Sequence, residues 1–486
     1  MASQATPSEG YPAENVLWPG RLIVAANRAP YRLLTGRNGE ARWERPAGGL
    51  TAALDPVMRR TGGVWVAAQT GDEFIHDVPP EAPSYTVHTL GIDPVHFARY
   101  YLGYANSGLW PLAHHMIEKA RFNPQDFRSY RQVNARFARA IAQAAEPGDV
   151  VWIHDYQLTL VPGLLRRLGC ANPVALFWHI PWPALPVLRL CPERKEILFD
   201  LLGADWIGFQ TEEWKEAFVR AARRELKANV ERGDDTVVEY AGRRTIVADV
   251  PISVDMDHVD HLAKLPVTLE RMATFRRRLG LRDTDTVFLG VDRMDYTKGI
   301  PARLEAYDHL LKRSSALRER VHLIQVAVPS RTEIAHYREL AAGVREQVRD
   351  INRRFAKEGR RPITLIEHNL RLDQLVALYR MANVAVVSSL YDGQNLVAKE
   401  FVSARVDGDG VLCLSETAGA FHELEAAVPL PPLSPERMAE SLYFAMTMPE
   451  PERRERMARM REAVRKNTIY DWLDKVLSGV LAARKA

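Results

Sequence analysis

Cysteine is scarce: Cys170, Cys191 and Cys413 are the only three in 486 residues. They are scattered, odd in number and without metal-ligand spacing, which excludes a disulfide framework and points to reduced, buried thiols in a cytoplasmic protein. No stretch approaches the run of about 18 apolar residues needed for a membrane-spanning helix, and residues 174–190 are interrupted by prolines, a histidine and an arginine. Residues 1–20 lack a basic segment followed by an apolar one; they read as a flexible tail, not a secretory leader. An excess of one charge is missing too. Lys and Arg number 65 against 61 Asp and Glu, a net +4 that is small for this length. That balance argues against a nucleic-acid partner and accommodates small anionic substrates.

With 47% hydrophobic and 26% charged residues, the composition is that of a globular protein too long for one core, so two domains are expected. Short β-branched runs alternate with helical stretches, which predicts a doubly wound α/β architecture. The predicted strands are 22–26, 64–66, 150–153, 174–178 and 206–209, then 287–291, 323–327, 363–366, 384–387 and 411–414. The Pro-bearing connection Val250–Asp255 divides the two sets, giving domains over 21–252 and 253–468. Two such sheets facing one another form a cleft at the C-terminal ends of their strands.

Six polar clusters follow strands, three in each half. In the first half they are Asn27-Arg28, His154-Asp155-Tyr156 and His179-Ile180-Pro181. In the second they are Arg293 with Lys298, Arg331, and Asp392 to Glu400. The last is the most informative. Asp392-Gly393-Gln394-Asn395-Leu396-Val397 joins a buried strand to a helix, so backbone N–H groups and the positive helix end converge on one point, where an anion binds. Glu400, four residues beyond Leu396, can accept hydrogen bonds from a ribose diol. Arg293 and Lys298, read as a post-strand loop pair, can clamp a diphosphate on which charge builds as it departs. Gly48-Gly49 before a helical pattern allows close approach to a phosphate. Tyr101 and Trp110 carry O–H and N–H donors for a phosphorylated sugar. Asp155 reads as an acceptor for sugar hydroxyls. No metal-ligand spacing surrounds His154 or His179, and no Ser or Cys elbow supports a nucleophilic triad. Asp255-Met256-Asp257 matches the short acidic pattern of haloacid-dehalogenase-type phosphatases, but its position between the halves makes the match accidental, leaving the chain without phosphatase activity of its own.

Together these segments resemble the trehalose-6-phosphate synthase family of retaining glycosyltransferases. The resemblance spans Leu22 to about Leu477. It rests on ANRAP at Ala26–Pro30, PAGGL at Pro46–Leu50, YYxxxxNxxLWP at Tyr100–Pro111 and HDYQL at His154–Leu158. HIPWP at His179–Pro183, GFQT at Gly208–Thr211, VDRMDYTKG at Val291–Gly299, PSR at Pro329–Arg331 and DGQNLVAKE at Asp392–Glu400 complete it. It implies a GT-B fold of two Rossmann-like domains about a central cleft, with the final segment, 469–486, crossing back to the first domain. It implies no cofactor and no catalytic metal. The donor site it implies is Gly49, Arg293 and Lys298 on the diphosphate, with Asp392, Gly393, Gln394, Asn395, Leu396, Val397 and Glu400 around donor sugar and ribose. The acceptor site is Arg28, Tyr101, Trp110 and Arg331 about the phosphate of glucose 6-phosphate, with Asp155 on sugar hydroxyls and His179 beside the reacting centre. The catalytic set is then His179, Asp155, Arg293 and Lys298. Transfer proceeds by front-face attack without an enzyme nucleophile. A homo-oligomer and a separate downstream trehalose-6-phosphate phosphatase are compatible partners.

Three positions depart from the family pattern: Gln394 stands where Met is usual, Tyr391 where Arg is frequent, and Ala68 where many members have a second Trp. Gln394 also occurs in related pseudo-glycosyltransferases that couple cyclitols. The donor nucleotide therefore stays open among UDP, GDP and ADP. Glucosylglycerol-phosphate synthase, a cyclitol-coupling enzyme and a non-catalytic sugar-phosphate sensor are the competing readings.

Overall fold

The computed structural model describes residues 20–35, 41–44, 49–77, 85–357 and 359–485. The expected N-terminal tail, and Pro46 to Gly48 of the glycine-bearing motif, lie outside the described residues. The ten predicted strands all form. The first five belong to a ten-stranded sheet ordered 229–232, 236–240, 243–249, 206–209, 174–177, 150–154, 22–25, 63–70, 85–92 and 74–77. Its inner pairs are parallel, and antiparallel hairpins close both ends. The other five, with Val428–Leu430, make a wholly parallel six-stranded sheet ordered 363–366, 321–329, 286–294, 384–387, 411–415 and 428–430. Strands with fully buried runs such as Val150–His154 and Val384–Val387 are apolar on both faces because helices cover both.

The chain crosses between the lobes twice, and the crossings bind one another. Asn467 Nδ2 donates to Pro251 O (3.0 Å), Ile469 N to Val254 O (3.2 Å) and Tyr470 Oη to Asp255 Oδ2 (2.9 Å). The last helix, Ile469–Lys485, then packs on the first sheet. Trp472, Val476 and Val480 are buried in the cluster that holds Leu22, Val24, Trp152 and Phe177. Asp255, half of the phosphatase-like pattern, caps the helix Met256–Lys264 by accepting from His258 N (2.9 Å). It is a structural carboxylate. Of the three free cysteines, Cys191 and Cys413 are buried, but Cys170 is partly exposed, a departure from the expectation of three buried thiols. Among the described residues, no helix is long and apolar enough to cross a membrane.

Candidate active site

Arg28 follows the strand Leu22–Ala25, and its backbone is held by Trp65 Nε1, which donates to Arg28 O at 3.1 Å. Its guanidinium donates to Tyr101 Oη (2.8 Å). Tyr101 sits on a wide, π-type helical segment, Ala98–Leu109, that delivers Trp110 at its end. Two side chains explain the widened turns: Asn106 Nδ2 and Ser107 Oγ each donate to the carbonyl five residues back (both 2.7 Å). Arg331 reaches the same place from the other lobe. It lies over the Trp110 ring at 4.2 Å and donates to Tyr156 Oη at 3.4 Å. Arg293 stands over the same ring at 5.4 Å. The sequence placed Arg293 in a loop; it is in fact within the strand Thr286–Met294, whose pairing with 321–329 runs on to Arg293 opposite Val328. That pairing fixes its backbone.

Three guanidiniums therefore surround one phenol. Burial pushes the Tyr101 hydroxyl up, but Arg331, Arg28 and Arg293 outweigh it and bring it down to about 8. Two donors in this cluster are buried without a partner among the described residues, Trp110 Nε1 and Arg331 Nε. Buried donors are rarely left unsatisfied, so together with the cations they make a setting able to take an anion. Arg331 is aimed by Asp295, fully buried, whose Oδ2 takes its guanidinium at 3.1 Å, and by the Tyr337 hydroxyl. Its own φ of +50° is strained for a non-glycine. Asp155 is strained as well, at φ +75°. Burial raises its carboxyl to about 7, against the opposing pull of the Tyr156 and His179 N–H groups and of Arg293 and Arg331.

The rear lobe supplies the second half. Asn395 caps the helix Leu396–Ala404, its side chain accepting from Ala398 N (3.1 Å), while the N–H groups of Leu396 and Val397 have no acceptor among the described residues. Gly49 opens the helix Gly49–Thr61 in the front lobe. Lys298 is ion-paired with Asp392 at 2.5 Å, and Ser389 and Asn395 also donate to that carboxylate. Gly393 abuts the front lobe: a Cβ placed on it would lie 1.8 Å from His179 O. Gln394 donates its amide to Glu423. His179 turns both ring nitrogens inward, Nε2 to His154 Nδ1 (3.0 Å) and Nδ1 to Gln210 Nε2 (3.3 Å), so its carbonyl, not its imidazole, faces Gly393.

Glu400 accepts from Tyr379 Oη (2.7 Å). Burial raises its carboxyl from 4.5 to about 7, only partly offset by that hydrogen bond. A carboxyl raised in the folded state stays protonated where the unfolded chain has ionised, so it lowers stability progressively between those two values and by a constant amount above them. Glu400→Gln keeps an acceptor for Tyr379 and is expected to raise the thermal midpoint at about pH 8 more than at about pH 5. Equal shifts at both pH values would contradict that linkage.

Several partners that aim the cations were not singled out from sequence: Asp295, Tyr156, Tyr337, Tyr379, Gln210, Lys399 and Glu423. Four of the seven, Tyr156, Gln210, Asp295 and Lys399, lie inside segments already recognised, HDYQL, GFQT, VDRMDYTKG and DGQNLVAKE, where the cations and glycines are the conspicuous residues.

The model of Glycosyltransferase family 20 matches residues 20–481. The trehalose-6-phosphate synthase of Mycolicibacterium gilvum is 36% identical over 475 residues, covering 96% of this chain and 94% of the relative. That of Mycobacterium tuberculosis is 35% identical, covering 95% of each. The alpha,alpha-trehalose-phosphate synthase (UDP-forming) of Burkholderia xenovorans, solved in complex with glucose-6-phosphate, superimposes with a TM-score of 0.88 at 32% identity, over 95% of this chain and all of that one. A structure from E. coli bound with UDP-2-fluoro glucose superimposes with a TM-score of 0.85 at 28% identity, over 95% of this chain and 99% of its own. The two facing parallel-sheet lobes match the GT-B expectation.

Proposed function

Because the chain belongs to glycosyltransferase family 20, whose members it joins as a retaining glycosyltransferase, we propose that it transfers glucose from a nucleotide-glucose to glucose 6-phosphate, forming trehalose 6-phosphate. One observation carries the acceptor: Arg28 and Arg331, from opposite lobes, converge on Tyr101 and Trp110, where two buried donors lack partners. A phosphate monoester satisfies that set, and it draws the lobes together because each contributes a cation. UDP-glucose is the preferred donor, with GDP- and ADP-glucose as alternatives. The donor diphosphate lies between Arg293, Lys298, Gly49 and the N–H groups at Leu396 and Val397, and Glu400 takes the ribose.

In this reading the acceptor hydroxyl attacks on the face from which the diphosphate leaves. The C–O bond to the leaving oxygen breaks as the new glycosidic bond forms, and the departing phosphate oxygen takes the hydroxyl proton. Arg293 and Lys298 offset the charge that accumulates there, so no catalytic metal or enzyme nucleophile is assigned. Asp155 orients sugar hydroxyls. Removal of the product's phosphate falls to a separate phosphatase, since Asp255 is engaged as a helix cap. Gln394 keeps a second reading in view: its amide is committed to Glu423 and its buried carbonyl oxygen is free to accept from a hydroxyl of the donor ring, whether glucose or a cyclitol.

Incubation with glucose 6-phosphate and UDP-, GDP- or ADP-glucose in turn, following nucleoside diphosphate release and the disaccharide phosphate, is expected to give trehalose 6-phosphate with retained anomeric configuration. Glycerol 3-phosphate in place of the hexose phosphate tests the smaller acceptor. No product with any nucleotide-glucose overturns the proposal in favour of a cyclitol-coupling enzyme or a sensor.

A further inference from the structure

The hinge residue Ile252 is gripped from both lobes. Ile252 N–H donates to Gln210 Oε1 at 2.9 Å, and Ile252 C=O accepts from Lys399 Nζ, also at 2.9 Å. Gln210 follows the front-lobe strand Trp206–Phe209, and Lys399 lies on the rear-lobe helix Leu396–Ala404. Both side chains are buried, at 2% and 0% exposure. Lys399 also pairs with Glu423 at 2.6 Å, the carboxylate that receives the Gln394 amide.

A backbone N–H can only donate, so the oxygen end of Gln210 faces Ile252 and the NH₂ end faces His179 Nδ1. An NH₂ group can only donate, so Nδ1 of His179 is an acceptor and the ring proton resides on Nε2. From there it is donated to His154 Nδ1, 3.0 Å away. The order is internally consistent: His154 then carries its own proton on Nε2, the one ring atom of the pair with no partner among the described residues. Burial holds both imidazoles neutral, taking His179 down to about 3 and His154 well below its ordinary range. Hydrogen bonds, not charge, therefore choose the tautomer.

We propose that Gln210 is a positioning residue for the transfer step, acting through His179: by bonding the closed hinge peptide it holds His179 as the Nε2-protonated tautomer and fixes the backbone whose carbonyl walls the donor segment at Gly393. Closure of the lobes and orientation of the residue beside the reacting centre are thereby one event, because one residue, Ile252, is held through its N–H by Gln210 and through its C=O by Lys399, next to Glu400. The proposal rests on the transfer reading above for its kinetic consequence alone.

The test is Gln210→Glu. The new carboxylate still accepts from Ile252 N–H but can no longer donate, so His179 must place a proton on Nδ1. In full-length protein carrying ring-15N histidine, wild-type His179 is expected to be protonated on Nε2, and the variant on Nδ1 or on both nitrogens. Turnover is expected to fall by about tenfold to a hundredfold, the scale of a misplaced reacting geometry, with KM for glucose 6-phosphate unchanged. A wild-type His179 protonated on Nδ1 overturns the proposal, as does a variant with wild-type turnover. If the variant does not fold, the wild-type spectrum decides alone. Absence of turnover in the wild-type enzyme would sink the transfer reading while leaving the tautomer measurement intact.

Discussion

Arg293→Ala is expected to lower kcat by about a hundredfold to a thousandfold, the range found when one preorganised donor to developing charge is removed, with a smaller change in KM for glucose 6-phosphate. Arg293 is anchored by strand pairing to Val328 and stacked over Trp110, and no described carboxylate forms an ion pair with it. With no carboxylate paired to it, its charge is available to offset the negative charge that the proposed transfer builds on the leaving diphosphate, although it also helps hold Asp155 and Asp295 down. Lys298 differs. It already neutralises Asp392, whose carboxyl burial would raise but which Lys298 holds below the usual range. Lys298→Ala should lower kcat as well, but it also strands a buried carboxylate, at a cost of about 3–5 kcal/mol in stability. The pair of variants thus separates catalysis from folding: Arg293→Ala leaves the thermal midpoint near wild type, and Lys298→Ala does not. Nucleoside diphosphate release under saturating substrates, with melting curves on the same samples, measures both. Wild-type kcat in Arg293→Ala would remove the clamp from the mechanism.

The central strands were legible because a parallel strand covered by helices on both faces is apolar throughout, as Val384-Ala385-Val386-Val387 is. The sheet ends were not. The hairpin of Thr236–Tyr240 with Arg243–Asp249 mixes charged residues with only short apolar runs, Val237-Val238 and Ile246-Val247-Ala248, and Phe74–Asp77 is a four-residue edge strand. The π-type segment at Ala98–Leu109 has no propensity signature, since its width depends on Asn106 and Ser107 bonding five residues back. The same limit misplaced Arg293: where a strand ends depends on its neighbour, and Val321–Pro329 extends it.

Cations and glycines of the cleft announced themselves by following strands, which is where a doubly wound sheet presents its chemistry. Their partners did not, because partnership is a tertiary fact. Arg331 and Tyr156 are 175 positions apart in sequence and meet only through the packing of one lobe against the other. Asp295 sits within a motif read for its arginine and lysine, yet it is the buried carboxylate that aims Arg331. Gln210 lies in a recognised segment too, but its role requires knowing that Ile252 and His179 flank it. Sequence spacing reveals which residues can do chemistry; packing decides which way each one points.

Gly393→Ala should open the cleft. The methyl group would stand 1.8 Å from the His179 carbonyl oxygen, whereas such a carbon–oxygen contact normally requires about 3.3 Å, so the two backbones must separate by roughly 1.5 Å. Gly393 cannot retreat into its own lobe. Its carbonyl is closely approached by Gly419, where a Cβ would lie 2.1 Å from Gly393 O, and Gly419 N–H donates to Asp392 O at 3.1 Å. The strain therefore moves to the interface between lobes, parting Arg331 from Tyr156 and Trp110 and displacing the donor segment from the acceptor. A misplacement on this scale costs about a hundredfold in rate, and because the proposed acceptor site draws cations from both lobes, KM for glucose 6-phosphate should rise with the fall in kcat. Neither sheet contains Gly393, so the thermal midpoint should barely move. Solution scattering on the variant with both substrates present is expected to show a more open particle than wild type. A variant that closes normally and retains wild-type kcat/KM would mean that the contact between Gly393 and His179 does not control the chemistry.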